Sequence, residues 1–77
     1  SYALPEEYQG VVLDRSYELL INSEQPIAVR AFAMGTIVNI SKEYDELKAE
    51  FKLVLEDLYT EGAKGLENKR RNILKTL

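Results

Sequence analysis

The sequence predicts an all-α domain of two stacked antiparallel helical hairpins, and three observations predict it. Apolar residues recur at spacings of three and four through four successive segments. Short stretches holding proline, glycine or a rise in polarity separate those segments. The second segment is apolar on nearly every side, so it demands cover from more than one neighbour, which a single pair of helices cannot supply.

The first helix is expected to begin at Pro5, after a short loop-like opening at Ser1 to Leu4. Proline suits a first turn, and Glu6 and Glu7 sit at the positive end of the helix dipole. Its apolar stripes are Tyr8, Val12, Leu19 and Leu13, Tyr17, Leu20, with Asp14, Glu18 and Asn22 opposite. Pro26 ends the connector and is expected to be the first residue of a second helix running to about Glu43. On that helix Val29, Phe32, Ala33, Ile37 and Ile40 form one stripe and Ile27, Ala31, Met34 and Val38 another. It is the expected central helix, and Ala28, Ala31 and Gly35 give it a small-residue patch that a neighbour can approach closely.

Asp45 is the expected N-cap of the third helix, which carries Leu47, Phe51, Val54, Leu55 and Leu58 inward and Glu46, Lys48, Glu50 and Lys52 outward. Thr60, Glu61, Gly62 and Gly65 are expected to break it, and a fourth helix runs from about Leu66 with Leu66, Ile73, Leu74 and Leu77 as its apolar positions. The chain thus reads as one domain, with a first hairpin over 6–43 and a second, capping hairpin over 45–77. Phe32 and Phe51 are expected to fill the shared core.

The run Gln25-Pro26-Ile27-Ala28-Val29-Arg30, followed by Ala31-Phe32-Ala33, resembles the start of the second helix of a HEAT repeat, where Asp-Pro-x-x-Val-Arg precedes small and large apolar residues. The resemblance implies a HEAT-like α-α superhelix in which Arg30 bonds acidic or carbonyl groups and holds adjacent hairpins together. Gln25 stands where aspartate is usual, so Asp14, Glu24 and Asp57 are the acids left to meet Arg30. A fainter second copy places Gly65 and Lys69 as Pro26 and Arg30 are placed, 39 residues further on, close to a period of about 40. An armadillo-like unit is the alternative, with room for its extra short helix only at Pro5 to Gln9, and an unrelated four-helix bundle is a third.

Composition narrows the chemistry. The chain has 77 residues, no cysteine, no histidine and no tryptophan, so it lacks thiolates, the commonest general base and the commonest metal ligand. No catalytic, cofactor or metal site is expected. The signature loop of the helical lyases, adenylosuccinate lyase among them, is absent, and Ser16, Ser23 and Ser41 have no base in a recognisable motif. A calcium loop tried at Asp57, Tyr59, Glu61, Gly62 and Asn68 fails where tyrosine and asparagine replace acids. No apolar run approaches the ~20 residues of a membrane span, and a cytoplasmic location is the expectation.

Charge is polarised. Residues 1–26 carry five acids and one cation, net −4, whereas residues 62–77 carry five cations and one acid, net +4. The leading expectation is a non-catalytic scaffold for a protein partner. The alternative is nucleic-acid binding through a basic patch of Lys69, Arg70, Arg71 and Lys75, against which stands the overall charge of −3. The last helix reads as a polar cap, whereas the first shows more apolar surface than a terminal helix needs. It is expected to be covered by earlier hairpins of a longer protein, or by a second copy in a homodimer meeting at Val12, Leu13 and Leu20.

Overall fold

The computed structural model describes residues 6–77, with side chains from Tyr8 onward, and within them four helices and no strand. The expectations for the opening loop and for Pro5 lie outside the described residues. Helix α1 spans Glu6–Ile21, α2 Ile27–Ser41, α3 Asp45–Asp57 and α4 Lys64–Leu74.

Each boundary follows from local chemistry. Pro26 lies one position before the expected one, as the residue preceding α2, with φ −55° and ψ 145°, and its carbonyl accepts from the amides of Val29 and Arg30. The helix therefore starts where the ring no longer blocks an amide donor. Asp45 is likewise the first residue of α3, after an extended Tyr44 that makes no side-chain cap bond. Asp45 and Glu46 thus act on the helix dipole within the first turn. Helix α4 starts two residues before Leu66 and includes Gly65, which is not a breaker. Helix α3 ends at Asp57, before an extended Leu58, and Gly62, whose φ of 80° lies in the left-handed region that a side chain disfavours, makes the turn that leads into α4.

Helix α2 packs against all three others, and α1 lies mainly along it. The core is Leu20, Ala33, Met34, Ile37, Phe51, Leu55, Ala63 and Leu66, with Leu13, Tyr17, Leu19, Val54, Ile73, Leu74 and Leu77 packed around it. Tyr17 carries α1 to α3: its ring meets that of Phe51 edge-on, with centroids 6.1 Å apart and planes at 78°. Ser41 is fully buried at the end of α2, and its hydroxyl has no hydrogen-bond partner among the described residues.

Two core assignments change. Phe32 is 76% exposed and does not fill the core. The buried side of α2 is Arg30, Ala33, Met34, Ile37 and Ser41, and Phe32 sits about 100° round the helix from Ala33 and about 200° from Met34. Phe32 falls on the exposed side of the helix together with Ala28 and Asn39. On α1, Leu20 is fully buried and so not available for a dimer contact, whereas Val12 and Leu13 are half-buried, Leu13 against the core. The apolar side chains that α1 leaves in solvent are Tyr8, Val11 and Ile21.

Candidate functional site

Arg30 is carried inward by α2, where it is almost fully buried. Its Nε donates to the carbonyl of Leu20 at 2.8 Å and a terminal nitrogen to the carbonyl of Tyr59 at 3.3 Å. Leu20 is in the last turn of α1, whose carbonyls have no partner within the helix and carry the negative end of its dipole. Tyr59 belongs to the connector between α3 and α4. One guanidinium thus ties the first hairpin to the second. Among the described residues no carboxylate lies within ion-pair distance of it, and Asp14, Glu24 and Asp57 are all exposed elsewhere. Backbone carbonyls take the place of the expected acid.

A matching joint closes the second hairpin, and it is made by Arg70 in place of Lys69. One terminal nitrogen of Arg70 donates to the carbonyl of Leu55, in the last turn of α3, at 3.0 Å. Its remaining donors grip Glu67 bidentately at 2.7 and 2.9 Å. Thr60 donates to the same carboxylate at 2.6 Å, and Arg71 adds a longer contact at 3.4 Å. These bonds, Arg70 first and Thr60 second, hold the Glu67 carboxyl down at about 2. The repeat register is therefore Arg30 to Arg70, one residue longer than the spacing of Arg30 and Lys69.

These contacts break up the expected basic patch. Arg70 is turned into the fold with its side chain 22% exposed, and Arg71 shares Glu67 with it. Lys75 stands in solvent at the end of α4. Lys69 leaves the patch in another direction: it reaches over α2, its Nζ 3.4 Å from where a Cβ on Gly35 would lie. Gly35 is about one turn along α2 from Phe32, so the two lie on the same side of the helix. The sequence signal for Glu67 was its i,i+3 spacing to Arg70.

Elsewhere the described residues hold no group of three acids, histidines or cysteines placed for a metal ion, and no helix long and apolar enough to cross a membrane. A shallow hollow at Glu43, Tyr44, Asp45, Glu46 and Leu47 marks the α2–α3 connector, and of its three carboxylates Asp45 pairs with Lys48 at 3.6 Å. Tyr17 keeps its phenol neutral, pushed up to about 12 by burial and by the nearby Glu50.

A family model described as a HEAT repeat domain matches residues 2–77. No curated protein and no solved structure matches the chain.

Proposed function

The chain belongs to the HEAT repeat domain family, and from that premise we propose that it is a non-catalytic helical-repeat module that scaffolds a protein–protein interaction through the exposed side of α2. The observation that carries the reading is Phe32. A solvated phenylalanine forgoes about 1.5–3 kcal/mol of burial, and it does so on the helix that every other helix packs against. Buried aromatic anchors dominate binding energies at protein interfaces, so an aromatic presented on a rigid central helix suits a partner.

Nucleic-acid binding loses support from the same geometry, because two of its four cations are held by Glu67. A second protein contact, self-association through α1, is favoured by the exposed Tyr8, Val11 and Ile21. Light scattering over a concentration series tests it: mass rising with concentration, and reverting in Val11→Ser with Ile21→Ser, is the expected result.

Affinity capture from the source cells with the wild-type chain and Phe32→Ala tests the main reading. A partner retained by the first and lost from the second, at equal melting temperature, is the expected result. Partners retained equally by both, or captured by neither, would sink it.

A further inference from the structure

We infer that the face of α2 around Phe32, flanked by Lys69 of α4, docks an acidic protein segment that presents a large apolar side chain. This inference rests on the scaffold reading and adds the chemistry of the partner.

Three observations carry it. Phe32 gives the face its apolar anchor, open to solvent over most of its surface. Lys69 gives it a cation that has no carboxylate partner among the described residues, laid against α2 at Gly35. Helix α2 itself adds no opposing charge. Helix α2 contains no acidic residue, and the positions around Phe32 on its outer side are Ala28, Gly35, Thr36 and Asn39.

The contrast with the rest of the molecule sets the sign of the partner. The chain is net −3, and its acids stand outward on α1 and α3, where Asp14, Glu18, Glu46, Glu50, Glu56 and Asp57 are all exposed. An acidic segment is repelled from those two helices and meets on α2 an unpaired ammonium about one helical turn from an aromatic ring. Phe32 and Gly35 are separated by about 4.5 Å along the helix axis, so one apolar side chain with a carboxylate one or two residues away spans anchor and cation. A nucleic acid needs several free cations along its backbone, and this face offers one.

The test is a fluorescence-anisotropy titration of the 77-residue chain with labelled decapeptides. The first is rich in glutamate with a central leucine, the second has lysine for every glutamate, and the third has serine for the leucine. A labelled single-stranded oligonucleotide is the fourth probe. Binding of the first peptide alone is the expected result, weakened tenfold or more by Phe32→Ala and by Lys69→Glu, and severalfold by Lys69→Met, which keeps the stem and loses the charge. Raising the salt should weaken it as well. Binding of the lysine peptide equal to that of the first, indifference to Lys69, preference for the oligonucleotide, or no binding at all would overturn the inference. If a partner is nevertheless captured through Phe32, the scaffold reading survives and only the acidic chemistry fails.

Discussion

The ring of Tyr17 meets the ring of Phe51 edge-on across the junction between the two hairpins, with centroids 6.1 Å apart. Phe51 is fully buried there. Truncating it removes the anchor of α3 and the partner of α1 together, at a cost of about 3–5 kcal/mol, which is most of the stability a domain this small holds. Phe51→Ala is therefore expected to abolish a cooperative thermal transition by circular dichroism. Phe32→Ala, at the surface, is expected to shift stability by less than about 0.5 kcal/mol. Equal effects would place both rings in one environment, against the structure.

Arg30 joins α1 to the second hairpin through two carbonyls. Arg30→Met keeps the length of the stem and leaves both acceptors without their donor, for a loss of about 1–3 kcal/mol. Arg30→Lys retains one donor at most and is expected to fall between Met and wild type in urea denaturation. If Met and Lys prove indistinguishable from wild type, the carbonyl joint does not hold the hairpins.

Glu67 makes the second joint sensitive to acid. Its carboxyl is held at about 2, below an ordinary value of 4.5, so the folded state favours the charged form. The stabilisation is complete above pH 4.5 and is lost as pH falls toward 2. The melting temperature of the wild type is expected to exceed that of Glu67→Gln by a constant margin near neutrality, and the two should converge between pH 4.5 and 2. A margin that persists at pH 2 would assign the effect to packing.

Ser41 buries at the end of α2 a hydroxyl that has no partner among the described residues. Removing it eliminates an unsatisfied polar atom and adds helix propensity, so Ser41→Ala is expected to stabilise the chain by about 1 kcal/mol in denaturant melts. Destabilisation would mean that the hydroxyl finds a hydrogen-bond partner in solution.

Much of the fold was legible because its signals are local. Periodicity and punctuation place four helices in the right order, and the all-round apolarity of α2 already marks it as the helix the others surround. What periodicity reports is which residues share a stripe, never which stripe a neighbour covers. Phe32 and Ala33 are adjacent in sequence and about 100° apart on the helix, and only the placement of α1, α3 and α4 decided that Ala33 is buried and Phe32 is not.

The same reason separates Lys69, Arg70 and Arg71, three consecutive cations with nothing in their order to rank them. The sequence by itself determined the helices, their order and the polarity of the two ends of the chain. Tertiary structure alone decided that Arg70 turns in to the carbonyl of Leu55, that Lys69 lies over Gly35, and that the joint at Arg30 uses carbonyls in place of an acid. Each of those depends on where another helix ends, because a helix terminus supplies the unpaired acceptors that a nearby guanidinium seeks.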